Sequence, residues 1–333
     1  MGATRLSICI LLLNFVDCRN MSQISANTTF IKNKAYELGF SACGISKAIV
    51  LDDQAQKLEK WLGQGLHGSM EYMANHFDMR LNPKLLVPGA KSVISLSFNY
   101  FTDKKQLDES APKISTYAYG ADYHDVLKAK LKALLEAMRL QIGDIDGRCF
   151  VDSAPVMERV WAEKSGIGWI GKNTLLLTKA KGSYFFLAEI ICDLELMEDS
   201  PVANYCGTCT KCIDACPTDA IFEPYQLDAT KCISYLTIEL KDKILPSNMK
   251  GKMDNWMYGC DICQQVCPIN ARSKVHQEKA FEPQQGLLEK TKNEWEEITE
   301  EVFQTLFSKS AVKRTKYAGL KRNILFLQEV NKQ

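Results

Sequence analysis

The sequence predicts an α+β protein with a cysteine-rich segment beside its main domain. Three observations carry this. Strand-like and helix-like stretches are mixed without strict alternation, which argues against a doubly wound sheet. The stretch from Asp122 to Leu140 is strongly amphipathic, with Val126, Leu127, Leu131, Leu134, Leu135 and Met138 on one stripe. Eight of the thirteen cysteines fall between residues 206 and 267. The 333 residues suffice for two compact domains, and a hydrophobic share of 46% with 24% charged is that of a globular chain. Net charge is +1, so any nucleic-acid contact must come from a local patch and not from a global field.

Taken in order, apolar residues recur at helical spacing from Thr28 to Leu38, with Gly39 as the stop. Ser41 to Ile45 is extended. Helices are expected from Asp52 to Leu62, capped by Asp52 or Asp53, and from Ser69 to Phe77, with Trp61, Tyr72 and Met73 as core residues. Ser92–Tyr100 and Lys113–Tyr119 are rich in β-formers and read as strands. After the Asp122–Leu140 helix, a strand from Arg148 to Val151 delivers Asp152 at its end. A helix from Pro155 to Lys164, a glycine-rich loop, and strands at Thr174–Thr178 and Tyr184–Cys192 complete this part. Asn293–Phe307 and Ser308–Leu327 read as helices. The expected divisions are a leader or misassigned start at 1–20, a catalytic domain at 21–195, a cysteine domain at 196–275 and a basic helical tail at 276–333.

The start holds Arg5 and then the apolar run Leu6–Val16, too short to cross a bilayer and followed by no clear small-x-small cleavage site. A misplaced start with Met21 as the natural first residue, or a leader, is the expectation.

The cysteine segment opens Cys206-x-x-Cys209-x-x-Cys212-x-x-x-Cys216-Pro217. It closes Cys260-x-x-Cys263-x-x-x-Cys267-Pro268, with Cys232 between. In the bacterial ferredoxin pattern three thiolates of a run grip one 4Fe-4S cube, and the fourth, before proline, reaches the other. Cys206, Cys209, Cys212 and Cys267 are then one ligand set. Cys216, Cys232, Cys260 and Cys263 are the second, Cys232 replacing the first cysteine that the second run lacks. Zinc is the alternative, since CxxC is also zinc spacing, whereas disulfides between such close neighbours are geometrically disfavoured. Cluster thiolates imply a reducing compartment, hence a cytoplasmic protein.

Gly166-Ile-Gly168-Trp-Ile-Gly171 matches the dinucleotide fingerprint by letter. It leaves a helix and enters a strand, the reverse of the context that points a helix N-terminus at a pyrophosphate. Read as a P-loop it has Asn173 where a magnesium ligand belongs. Two readings remain: glycines for a sharp turn, or a loop whose backbone approaches some large, flat or polar ligand.

The block Val151–Thr174, with Tyr117-Ala-Tyr-Gly-Ala-Asp-Tyr-His124, Cys232-Ile-Ser-Tyr-Leu-Thr-Ile-Glu239 and Gly259-Cys-Asp-Ile-Cys-Gln-Gln-Val-Cys-Pro268, resembles the epoxyqueuosine reductases, over roughly Ala26 to Ala271. The resemblance implies a nitroreductase-like domain binding cobalamin, a ferredoxin-like domain with two 4Fe-4S clusters, and a short helical tail. It implies reduction of epoxyqueuosine to queuosine at the wobble position of tRNA, the last step of queuosine formation, with cob(I)alamin charged through the clusters. Asp152 is then the proton donor. An aspartate can donate near neutral pH only from a dry site that disfavours its anion.

Carried over from matching motifs, Tyr117, Asp152, Lys172, Asn173, Thr174, Leu175 and Ser234 are the cobalamin contacts. No Asp-x-His-x-x-Gly arrangement offers a histidine to the cobalt, and His124 reads as structural. Ser308–Leu327 carries Lys309, Lys313, Arg314, Lys316, Lys321 and Arg322 without an acid. On a helix most of these share one broad face that suits phosphate, or simply a solvated face. Arg159 and Lys164 are further tRNA candidates. An external low-potential electron donor, no membrane and a monomeric state complete the expectation. The rival readings are a reductive dehalogenase-like corrinoid enzyme and a ferredoxin-type electron carrier. The first is usually exported behind a twin-arginine leader, which a lone Arg5 does not make. The second leaves the Asp152 block unexplained.

Overall fold

The computed structural model describes residues 21–329; the expected leader lies outside them. The chain begins with helix α1 (residues 21–37), strand β1 (Ala42–Lys47), helix α2 (Asp52–Gly63) and the short helix α3 (Phe77–Leu81). Strands β2 (Ser92–Asn99) and β3 (Lys113–Ile114) precede the long helix α4 (Tyr123–Ile142). Then come β4 (Gly147–Phe150), α5 (Glu158–Lys164), the hairpin β5 (Trp169–Ile170) with β6 (Leu176–Leu177), and β7 (Phe185–Cys192).

β1, β2, β7 and β4 form one antiparallel sheet in that order. Helices cover both of its faces, which is why β2 is buried along nearly its whole length. On one face Leu127, Leu131, Leu134 and Met138 of α4 and Ile31 and Ala35 of α1 pack on Ile94, Leu96, Ala188 and Ile190. Each such side chain taken from water contributes roughly 1.5–3 kcal/mol. The stripe expected of α4 is therefore the floor of the main core. Asp122 caps this helix by accepting from the His124 backbone N–H at 3.0 Å. On the other face Val160 and Trp161 of α5 pack with Val93, Phe150 and Ile191.

Several sequence expectations change. The helix expected at Ser69–Phe77 is a 3-10 turn, Glu71–Met73, and then α3, separated by His76 at φ 56°. Tyr72 is not a core residue but 46% exposed. The strand expected at Lys113–Tyr119 stops at Ile114, and residues Thr116–Ala118 turn as 3-10 helix. The α2 N-cap is Leu51, with no side-chain cap, in place of either aspartate. The Pro155–Lys164 helix starts only at Glu158, so Asp152 is not its N-cap; Met157 is.

The remainder holds α6 (Lys211–Asp214), β8 (Trp256–Tyr258), α7 (Ile262–Gln265), α8 (Lys292–Glu296), α9 (Glu300–Leu306) and α10 (Lys316–Gln328). The tail is thus broken into short helices, with a 3-10 turn at Ala311–Thr315, where two longer helices were expected. A second core joins residues distant in sequence: Ile114 and Ala118, then Ile233, Leu236, Trp256 and Met257, then Trp295, Phe303, Leu320 and Ile324. β3 pairs in parallel with β8. Asn323, fully buried, donates from Nδ2 to the carbonyls of Thr237 at 2.9 Å and Met257 at 2.8 Å. The cysteine segment is therefore built into the body of the protein.

Candidate active site and cysteine clusters

Two short helical turns hold the cysteine runs, α6 after Cys209 and α7 after Cys260. Cys206, Cys209, Cys212 and Cys267 line one cavity with Lys172, Asn173, Tyr205 and Lys211. Burial pushes the Cys267 thiol up, and the thiols that act on it are Cys206 and Cys209. Burial likewise pushes Cys260 up, with Cys232 and Cys216 among its charged neighbours. Cys263 feels Cys260 and Cys232, and more weakly Cys212 of the first set. Cys267 thus lies beside the first run, and Cys216 and Cys232 lie beside Cys260.

All eleven described cysteines are free thiols. Among the described residues, no three Cys, His, Asp or Glu side chains close on one point as a single ion needs. Two sets of four thiols in ferredoxin spacing suit 4Fe-4S cubes. The surroundings are fixed to the rest of the fold. Trp169 Nε1 donates to Cys206 Sγ at 3.4 Å, and Lys172 Nζ to the Gly207 carbonyl at 2.7 Å. Asp261, fully buried between two ligands of the second set, accepts from Ser115 Oγ and, at 2.8 Å, from the Thr116 N–H. Asn270, Gln264 and Ser183 form a buried polar lock between the second run and the start of β7.

The fingerprint glycines serve chain packing. A Cβ on Gly168 would stand 2.1 Å from the Leu177 carbonyl oxygen, across the β5–β6 hairpin, and Gly166 turns at φ 73°. Protein, not ligand, fills the space beside both. The ligand-facing part of this loop is the next stretch. Asn173 is 4% exposed, and its Nδ2 is buried without a partner, while its Oδ1 accepts from the Leu175 N–H at 3.3 Å. A buried, unpaired amide donor costs about 1–3 kcal/mol and marks a place for an acceptor. That is a fit to a large polar cofactor such as a corrin, whose periphery carries amides.

Asp152 follows β4, with its side chain 55% exposed and its backbone at φ 46°, a conformation uncommon outside glycine. Three groups fix it. Tyr123 Oη, at the start of α4, donates to Oδ2 at 2.5 Å. The Asp152 N–H donates to Glu158 Oε1 at 2.6 Å. His124 Nε2 lies 3.8 Å from Oδ2, its Nδ1 being 2.7 Å from Asp122 Oδ1. Tyr123 stacks on Phe186 at 4.2 Å and 5°, which sets the direction of its hydroxyl. Burial and then the Asp152 charge push that hydroxyl up, so it stays a donor.

Behind Asp152 stand two further acids. Glu158 is half-buried; burial first, and the Asp152 charge second, push it up to about 8. Glu189 is fully enclosed in the middle of β7, opposite Ser95 of β2 and Phe150 of β4. No donor group reaches either of its carboxyl oxygens or Ser95 Oγ, and the polar group against its carboxyl is the carboxyl of Glu158. Neutralising an ordinary glutamate at pH 7 costs about 4 kcal/mol. Stripping an unpaired carboxylate of water costs more, about 20 kcal/mol in the idealised limit. The neutral form wins, in line with the strong upward push of burial and of Glu158 on this group.

The remaining sequence candidates divide. Tyr117 donates to Tyr258 Oη at 3.3 Å and meets Tyr123 edge-on at 6.1 Å, so it borders the Asp152 site. Arg159 donates to the Thr174 carbonyl at 2.5 Å, tying α5 to the loop of Lys172, Asn173, Thr174 and Leu175. Ser234 immediately precedes the π-helical turn Tyr235–Glu239, and Glu239 pairs with Arg314 at 2.8 Å. Arg314 in turn feels Tyr72 and Asp152, which brings the tail to the edge of the site. The basic face expected of Ser308–Leu327 is not one face. Arg322 spends its guanidinium on the carbonyls of Leu236, Leu240 and Asp242, and Lys321 donates to the Glu296 carbonyl. Lys309, Lys313 and Lys316 are exposed. Lys164 lies 4.0 Å from Asp53 of α2.

Sequence reasoning missed Tyr123, Glu158 and Glu189 and undervalued His124. The available signal was Glu189 itself, a lone acid within the apolar strand Phe185–Cys192.

Comparison with known proteins completes this picture. A family model described as Epoxyqueuosine reductase QueG, DUF1730 matches residues 80–153, and one described as 4Fe-4S double cluster binding domain matches residues 205–270. The epoxyqueuosine reductase of Cellulophaga algicola is 57% identical over 92% of this chain and 100% of that protein. That of Escherichia coli is 42% identical over 88% of this chain and 78% of its own length. A crystal structure of epoxyqueuosine reductase with an epoxyqueuosine-modified tRNA-Tyr stem loop superposes with a TM-score of 0.82 at 31% identity, covering 91% of this chain and 81% of that one. A Bacillus subtilis structure, described with its catalytic aspartate loop swung out of the active site, gives 0.81 at 30% identity, with the same coverage.

Proposed function

The chain belongs to the epoxyqueuosine reductase family, and from that premise we propose that it reduces epoxyqueuosine to queuosine in tRNA with Asp152 as proton donor. The observation that carries the reading is the convergence on Asp152. A tyrosine hydroxyl, a glutamate and a histidine orient one strained aspartate, and Arg159, which feels that aspartate, ties down a loop that has an unpaired buried amide and borders the first thiol set.

Asp152 delivers its proton to the epoxide oxygen as the ring opens, which prevents a free alkoxide from building up. Tyr123 fixes which oxygen of Asp152 faces the substrate, and Glu158 holds the backbone of the same residue. A bound cobalamin supplies the reducing centre. Tyr117, Lys172, Asn173, Thr174, Leu175 and Ser234 are the residues that would hold it, within a corrin-binding unit of residues 21–195. Cys206, Cys209, Cys212 and Cys267 would hold one cluster, and Cys216, Cys232, Cys260 and Cys263 the other, within residues 196–275. An external low-potential, one-electron donor feeds them. Lys309, Lys313 and Lys316 are the tail cations left to meet tRNA phosphates. Among the described residues no helix is long and apolar enough to cross a membrane. A monomer working in the cytoplasm, where cluster thiolates stay reduced, completes the reading.

The test is anaerobic reconstitution with iron, sulfide and cobalamin, a count of each per chain, and an assay on epoxyqueuosine-containing tRNA. Two clusters, one corrin and formation of queuosine are expected. A loaded protein that leaves the modified base untouched would overturn the reading.

A further inference from the structure

We infer that Glu158 and Glu189 form a proton-storing pair that recharges Asp152 within each turnover. The inference rests on Asp152 as the donor. Converting an epoxide to an alkene takes two electrons and two protons and releases one water. Both carbon–oxygen bonds break; the first proton makes the hydroxyl, and the second lets that oxygen leave as water. The external one-electron donor supplies the two electrons. Asp152 carries one proton, so it must be reloaded before the second bond breaks, at a stage when corrin and tRNA cover it.

The reload path is laid out in depth. Asp152 is at the surface, Glu158 is half-buried with Oε1 2.6 Å from the Asp152 nitrogen, and Glu189, opposite Phe150 on the face that α5 covers, is fully enclosed with its carboxyl against that of Glu158. A proton passes from the Glu158 carboxyl to the Asp152 carboxylate. The anion left on Glu158 is met by the neutral Glu189 carboxyl, whose O–H otherwise has nothing to bond. Two acids close together share their ionisation, so the pair releases one proton and resists losing the second. The other charged groups facing Glu158 are Asp152 on the preceding loop and Arg159 on its own helix. Arg159 offsets the new negative charge. Tyr123, on α4, bonds to Asp152 and also feels the Glu158 charge. After product leaves, water reprotonates Glu158. The competing source is His124, at 3.8 Å from Asp152.

Single-turnover rates of the reduced, reconstituted enzyme on epoxyqueuosine tRNA, from pH 6 to pH 10, test the pair. The wild-type rate is expected to fall tenfold per pH unit above about 8, where Glu158 loses its proton. Glu158→Gln should be at least ~10-fold slower at pH 7 and lose that alkaline limb, with iron and corrin content unchanged. His124→Gln should keep the limb. Infrared spectra give a second readout, independent of turnover: a protonated-carboxyl band at pH 7 that Glu189→Gln removes. This band decides the matter should Glu158→Gln fail to load its cofactors. A Glu158→Gln enzyme with the wild-type profile, loss of the limb in His124→Gln, or no such band overturns the pair. An inactive Asp152→Asn beside an unaffected Glu158→Gln defeats the pair alone. An active Asp152→Asn defeats the donor assignment beneath it.

Discussion

On the α4 side of the central sheet, Leu127, Leu131 and Leu134 meet Ile94, Leu96 and Ile190 in one apolar cluster. On the α5 side of the same strands, alternation places Ser46, Ser95 and Glu189, all buried and all with oxygens that no donor reaches. β2 and β7 therefore carry two different surfaces on one backbone. The first face gains stability from every residue. The second gives some up, and Asp152 and Glu158 stand at its edge. Among the sheet's own residues the unpaired buried oxygens lie on this face, and Glu189 sits on the strand next to the one that carries the strained aspartate, which is what a functional face looks like beside a structural one.

Substitutions on either side should separate the two. The largest effect is expected from Asp152→Ala, a loss of at least ~100-fold in queuosine formation with melting temperature, iron and corrin unchanged. Normal turnover would dissolve the distinction. Leu131→Ala, on the apolar face, should do the reverse. It should lower stability by about 2–5 kcal/mol, visible as a drop in apparent melting temperature, while the rate per loaded molecule holds.

Glu189→Gln sharpens the comparison through pH. The folded state keeps a proton on Glu189 that the unfolded chain gives up above about pH 4.3. Folded protein then binds more protons than unfolded, so stability falls as pH rises from there toward the raised folded value. The slope is at most about 1.4 kcal/mol per pH unit for one proton. Glu189→Gln should flatten it, so the variant's advantage in melting temperature widens from pH 5 to pH 8; a constant gap would mean that Glu189 is ionised when folded. The smallest effect lies outside both faces. Removing Lys309, Lys313 or Lys316 singly should weaken tRNA binding a few-fold and lower the salt slope by about one or less. Titration of labelled tRNA at several salt concentrations measures this.

The two faces also differ in how far the sequence discloses them. The α4 stripe is visible because helical periodicity is local, and seven of the eight clustered cysteines because their spacing is local within each run, Cys232 standing apart between the two. Asp152 emerged from a block of neighbouring residues. Glu189 did not, since one acid in an apolar strand shows its meaning only once Glu158 is brought against it from thirty-one positions earlier. Tyr123 and His124 read as the first turn of a helix until tertiary packing aims them at Asp152. The breaks at His76, and between α8 and α9, have no proline or glycine to announce them. The tail cations looked alike in sequence because their carbonyl partners, Leu236, Leu240 and Glu296, lie on other elements.

One core threads residues 111–119, 229–258 and 287–327 together. Assembly consequently has an order. Until residues 320–324 are synthesised and free to fold, Trp256 and Met257 lack the floor that Leu320 and Ile324 give them, and Asn323 has yet to clasp the carbonyls of Thr237 and Met257. The ground beneath the second cysteine run therefore sets only after residues 320–324 exist, and contacts so far apart in sequence form slowly.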